Sequence, residues 1–152
     1  MLIANNLCFK RNDKDILKDI NLTLSPKKII HLRGNNGVGK TTLLKIITNV
    51  VEPDKGEIFW NSKNIKKNPF DLYKDLTFIM DKPTSNNNLT VYENILFWCQ
   101  IFSSKISVKE IDSILNLLLL SKYRNTEIQK LSFGEIKKLE LSRLIIEQKK
   151  LW

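Results

Sequence analysis

Gly34-Asn35-Asn36-Gly37-Val38-Gly39-Lys40-Thr41 is the stretch on which the reading of this chain turns. It has the pattern G-x-x-x-x-G-K-[ST], in which successive backbone N–H groups curl around an anion. Glycine suits such a loop because a Cβ would hold the chain away from its ligand. Lys40 would bring a point charge to the β- and γ-phosphates of a nucleotide, and the Thr41 hydroxyl would ligate Mg²⁺. A helix opening at Lys40 and continuing through Thr42 would add the positive end of its dipole. The flanks agree. Lys28-Ile29-Ile30-His31-Leu32 is a short β-rich run before the loop, and apolar residues at 43, 44, 46, 47 and 50 follow it at helical spacing. Strand, loop, helix is the order the motif requires. Of the chain's five glycines, three lie in this loop.

The residues before the loop read as strands. Ile3 to Lys10 and Ile16 to Leu24 flank a polar turn, Arg11-Asn12-Asp13-Lys14, and residues 19 to 24 alternate polar with apolar. Pro26-Lys27-Lys28 turns the chain into the loop strand. Beyond the first helix, residues 52 to 56 are a turn, and Glu57 to Trp60 and Leu76 to Met80 read as strands, the second of them buried. From residue 83 the character changes. Thr84 to Asn88 is a polar loop, and Thr90 with Glu93 forms a capping box. Helices are expected from there to about Phe102, from Ser107 to Leu120, and from about Ser132 to Gln148.

The chain has 152 residues, 42% of them hydrophobic, enough for one domain with a core. Its net charge of +9 invites a nucleic-acid reading. However, 21 of the 25 basic residues are Lys and only four are Arg, scattered singly or in pairs, whereas phosphate-reading surfaces lean on Arg as well. Abundant Lys, Asn and Ile are what an AT-rich coding sequence yields, so no direct nucleic-acid role is expected. Cys8 and Cys99 lie far apart and read as buried thiols in a reducing compartment. His31 reads as a packed or hydrogen-bonded residue rather than a ligand. Met1-Leu2-Ile3-Ala4 runs at once into Asn5-Asn6, which does not resemble a secretory leader. Apolar runs such as Leu117 to Leu120 are too short for a bilayer, so any membrane role would come through a partner.

Leu131-Ser132-Phe133-Gly134-Glu135 stands at the head of the last helix, about 90 residues beyond the phosphate loop. Alone, L-S-x-G-[QE] is a weak signal. With the loop upstream and Ile136 to Leu144 after it, the string resembles the signature motif of the ATP-binding cassette (ABC) family. Further strings are similar to one branch of it, the ATP-binding subunits of haem exporters in cytochrome c maturation. These are Asn6-Leu7-Cys8, residues 16 to 20, 56 to 60 and 89 to 98, and Leu151-Trp152. Branches that pair with multidrug-type exporters share most of them.

The resemblance implies an α/β fold: a P-loop NTPase with a RecA-like parallel core, N-terminal antiparallel strands and an inserted helical subdomain. Residues 1–82 would be the nucleotide-binding part, 83–130 the helical subdomain and 131–152 the signature and its helix. It implies Mg·ATP held by residues 34 to 42 between two head-to-tail copies of a homodimer. Residues 131 to 135 would meet the other copy's ATP, Ser132 and Gly134 touching its γ-phosphate. It further implies an integral membrane transporter subunit as partner and a peripheral site on the inner membrane, at its cytoplasmic face in a bacterium or its matrix face in a mitochondrion. Hydrolysis would move haem, or release a haem-carrying intermediate. The alternatives are another small-molecule exporter and a non-catalytic nucleotide-binding fragment. A GTPase or kinase reading lacks a base-reading N-K-x-D.

The chain departs from the family pattern in places. Where a Mg²⁺-ligating Gln is usual, it reads Asp81-Lys82-Pro83. Charged Lys82 cannot ligate Mg²⁺, though Asp81 could. The adenine-stacking aromatic has no clear match, with Arg11 and Phe9 as candidates. Phe133 replaces a small residue. In the family, a strand ending in Asp-Glu follows the signature helix and supplies the catalytic carboxylates. Trp152 stands where that strand would begin, so a partial domain from a fragment or a broken frame is expected, with the catalytic residues unknown. Glu135 and Glu147 are poor substitutes, Glu147 being expected to face outward.

Overall fold

Ten residues, Leu2–Arg11, form β1, which turns back into β2, Lys14–Leu24. Asn12 and Asp13 both have positive φ, 49° and 59°, the two-residue turn whose twist matches that of paired strands. β3, Lys55–Trp60, pairs antiparallel with the other edge of β1. β4, Lys63–Asn64, folds back on β3 through Asn61-Ser62, a second turn with positive φ at both residues. The sheet order is β2-β1-β3-β4. The expected alternation in residues 19 to 24 is present, with Ile20, Leu22 and Leu24 half-buried and Asp19, Asn21 and Thr23 exposed.

The computed structural model describes residues 1–152 and divides into two units, Met1–Leu76 and Thr77–Trp152. The first unit also carries α1, Lys40–Ile47, and a short α2, Pro69–Tyr73. Leu43, Ile46 and Ile47 of α1 are buried, as are Leu2, Ala4, Leu7, Ile58 and Trp60 of the sheet. The Trp60 indole donates to the buried Asp75 carboxylate at 3.0 Å. α2 has its signal in Asn68-Pro69, since proline is at home in the first turn of a helix.

Two expected strands are absent as strands. Residues 28–33 belong to no ladder, and Ile29 is 95% exposed. Of residues 76–80, only Leu76 makes a bridge. The reason is physical: β-rich composition gives a run its propensity, but a strand exists only with a hydrogen-bonded neighbour. The sheet that is present is wholly antiparallel.

The second unit is helical: α3, Val91–Ile101, α4, Val108–Leu117, and α5, Phe133–Glu147, with single 3₁₀ turns at Ser121–Tyr123 and Ile128–Lys130. Each helix starts on the same device. Thr90, Ser107 and Ser132 are N-caps whose hydroxyls accept from the backbone three residues on, while Glu93, Glu110 and Glu135 reach back to the cap. The core joins Val91, Ile95 and Trp98 of α3 to Ile111, Ile114 and Leu115 of α4 and Leu139 and Ile146 of α5. Cys99 is buried among them, and burial raises its thiol pKa; Cys8 is only half-buried, and both thiols are free. No helix is long and apolar enough to cross a membrane.

Candidate functional site

The loop of residues 34–41 is held in a shape that side-chain-bearing residues resist. Gly39 is left-handed, with φ 104°, and precedes α1 as its N-cap. A Cβ there would stand 3.0 Å from Ile16 Cγ2 and 3.1 Å from the Ile16 carbonyl, so the loop lies tight on β2. Beside Gly37 there is open space instead. The Lys40 ammonium folds back into the loop, donating to the carbonyls of Gly34 and Asn35 at 2.7 and 2.8 Å. Val38 N–H closes a turn onto the Asn35 carbonyl at 3.4 Å.

No side chain caps α1. The first N–H groups of any helix lack internal partners, and here they open toward the glycine loop with the dipole's positive end. An open glycine, a lysine already curled into the loop and an uncapped helix fit a phosphate chain. Asn35, Asn36, Gly37 and Val38 are exposed, Lys40 and Thr42 are half-buried, and Thr41 is exposed on the first turn of α1. That is where a hydroxyl ligand to Mg²⁺ would stand. His31 is exposed rather than packed, its Nδ1 accepting from Arg33 Nε at 3.3 Å.

In the second unit, the signature string opens α5. Leu131 is buried, whereas Ser132, Phe133 and Gly134 are exposed, Phe133 by 64%. Ser132 Oγ donates to Glu135 Oε2 at 2.7 Å, and Ser132 N–H donates to the same oxygen at 2.8 Å. The Tyr123 hydroxyl joins these donors, and together they hold the Glu135 carboxyl down at about 2.

Sequence reasoning missed a polar network farther along α5. Glu140, 1% exposed, accepts from the N–H groups of Thr84 and Ser85 at 2.7 and 2.8 Å and from the Thr84 hydroxyl at 2.9 Å. Arg143 lies 3.6 Å from Glu140 and donates to Glu147 at 2.7 Å. Its guanidinium stands over the rings of Trp98 and Phe102 at 5.9 and 5.8 Å. Glu147 therefore faces inward, contrary to expectation, and accepts from the buried Thr77 hydroxyl at 2.7 Å. A partner in reach is what makes burial of a helix-end carboxylate tolerable. The available signal was spacing: residues 136, 139, 140, 143, 146 and 147 form one helical face, and charges interrupt its apolar stripe. Lys137 donates to the carbonyls of Met80, at 2.7 Å, and Asp81. Asp81 and Lys82 are exposed on that bend.

Comparison with known proteins places the chain in one family. The ABC transporter family profile matches residues 17–152. The cytochrome c biogenesis ATP-binding export protein CcmA of Yersinia pestis is 32% identical over the whole chain, which covers 69% of that protein. The protein of the same name from Reclinomonas americana is 34% identical over 99% of the chain and 68% of its own length. A solved ABC transporter ATP-binding protein from Pyrococcus furiosus superposes on 97% of the chain and 71% of its own, with a TM-score of 0.85 at 24% identity. The fold expectation, a P-loop α/β domain with antiparallel N-terminal strands and a helical part, holds at that level. The chain belongs to the ABC transporter family, among its ATP-binding subunits.

Proposed function

We propose that this chain is the ATP-binding subunit of an exporter serving cytochrome c maturation, and that it couples ATP hydrolysis to a membrane partner. Subunits of this family bind ATP, typically with Mg²⁺, and work with membrane transporter partners. The observation that carries the reading is the loop at 34–41, with Lys40 curled onto its own carbonyls ahead of an uncapped α1. The export assignment draws on the printed function of the CcmA relatives, which match the chain from end to end.

In this reading, residues 34 to 42 cradle the triphosphate. The backbone N–H groups and Lys40 neutralise its charge, and the Thr41 hydroxyl holds the metal, with Asp81 a candidate second ligand. Mg²⁺ would supply charge neutralisation and orientation of the phosphates. Ser132 and Gly134 would meet the γ-phosphate bound by a second copy. The cap hydrogen bond from Ser132 to Glu135 must then be exchanged for one to the phosphate. Catalysis of this kind is positioning and electrostatics, so the loop contributes affinity and the second copy contributes rate. The subunit would sit peripherally on the inner membrane.

Lys40→Ala tests the site. It removes the ammonium and leaves the loop's backbone in place. ATP titration of the variant should show affinity lowered by about two orders of magnitude, equivalent to ~2.7 kcal/mol. Cells relying on the variant, together with its membrane partner, should lose c-type cytochromes. Affinity within threefold of the parent would sink the assignment.

A further inference from the structure

The chain enters the second unit along α5 and is fastened to it at each step. Thr77 N–H donates to the Leu151 carbonyl at 2.8 Å, and its hydroxyl meets Glu147 in the last turn of the helix. At Met80 and Asp81 the two carbonyls converge on the Lys137 ammonium, ten residues nearer the signature. At the helical rise, that is an advance of about 15 Å. The chain then bends through Asp81-Lys82-Pro83 and returns, and Thr84 and Ser85 bind Glu140 through both backbone N–H groups and one hydroxyl. The bend is thus held on both its arms by side chains one helical turn apart on α5.

The geometry points to Lys137 and Glu140 as positioning residues that make the Asp81-Lys82-Pro83 bend one rigid body with the signature end of α5. This rests on the nucleotide reading above and deepens it. A core needs no such fastening of an exposed bend; Asp81, Lys82 and Pro83 bury nothing themselves. What the fastening accomplishes is registration. Asp81 and Lys82 keep a fixed place relative to Ser132, so a displacement of the signature carries them with it. The materials of the clamp suit the task. Carboxylate-to-amide hydrogen bonds are charge-assisted and short. Glu140 is too deeply buried to exchange its partners for water, and Arg143 compensates its charge. Lys137 is steadied in turn by the Phe133 ring of the signature, 5.2 Å below its ammonium.

Three variants of the full-length subunit, reconstituted with its membrane partner, test this: Lys137→Met, Lys137→Arg and Glu140→Ala. Steady-state turnover gives kcat and KM, and hydrogen exchange reads the peptide spanning residues 81–88. Lys137→Met should lower kcat at least fivefold while KM for ATP stays within twofold, because the phosphate loop is untouched. Lys137→Arg should restore most of that loss, since a guanidinium can also donate to two carbonyls. Glu140→Ala should speed exchange in 81–88 about tenfold with α3 and α4 peptides unchanged. Parent-like kcat in Lys137→Met, or equal loss in Lys137→Arg, would overturn the positioning role. Exchange that rises evenly through α3, α4 and α5 in Glu140→Ala would show only a core residue, and unchanged exchange would show no clamp. Should Lys40→Ala keep full ATP affinity, the nucleotide reading fails, while the exchange result still decides the clamp.

Discussion

In the proposed reading Glu135 lies beside the phosphate of a second copy, and its neighbours keep it ionised. The donors Tyr123, Ser132 Oγ and Ser132 N–H all favour the charged form, so its folded-state value lies at about 2, against an ordinary 4.5. A depressed carboxyl contributes stability that is complete above the unfolded value and is lost on acidification. The window here runs from about pH 4.5 down to about pH 2. Glu135→Gln keeps the cap geometry and removes the titration. Thermal midpoints of parent and variant, compared from pH 7 to pH 2.5, should converge as the pH falls through that window. A gap that stays constant would mean that the carboxyl is not held as described. At this scale the glycine loop at 34–41 stood out because glycine, lysine and threonine at fixed offsets have few other uses. Glu140, Arg143 and Glu147 were not, because a charged residue in a sequence gives no sign of whether it faces water or a partner 50 to 70 residues away.

The three long helices of the second unit share one construction, which separates what a serine does for its helix from what it does for a ligand. Thr90, Ser107 and Ser132 each cap a helix and each receive a glutamate in return. Loss of such a cap hydroxyl costs about 1 kcal/mol. Thr90→Ala, Ser107→Ala and Ser132→Ala should therefore lower the urea midpoint by similar amounts, with unchanged slopes. A markedly larger loss for Ser132 would mean that its hydroxyl supports more of the fold than its cap. Capping boxes and turns lie within four residues of sequence, which is why α3, α4 and α5 were foreseen nearly to their ends. The failed strands show the opposite case. Lys28 to Leu32 and Leu76 to Met80 have the composition of buried strands, yet a ladder is a relation between segments, and composition describes only one of them.

At the scale of the whole molecule, residues 34–41 and 131–135 fall in different units, and in the proposed reading they serve different nucleotides. That division predicts a dissociation of phenotypes. Ser132→Ala and Gly134→Asp leave residues 34 to 42 intact, so titration should find each variant binding ATP within threefold of the parent. Nothing lies within 4 Å of a Cβ built on Gly134, so the aspartate is accommodated by the fold. It does, however, set a carboxylate at a helix N-terminus where a phosphate of the second copy would arrive, and like charges at that distance repel. ATP-dependent self-association, followed by sedimentation at several protein concentrations, should weaken at least tenfold in Gly134→Asp and less in Ser132→Ala. Thr90→Ala and Ser107→Ala, which lose equivalent caps, should associate like the parent. The net charge of +9 makes the choice of salt matter, because two copies of so basic a chain repel until screened. The comparison therefore belongs at about 0.15 M salt, where the Debye length is about 8 Å. Loss of ATP binding by the isolated subunit in Ser132→Ala would make that serine a cap alone. Loss of association in all the cap variants alike would trace the effect to stability rather than to recognition of a second copy's phosphate.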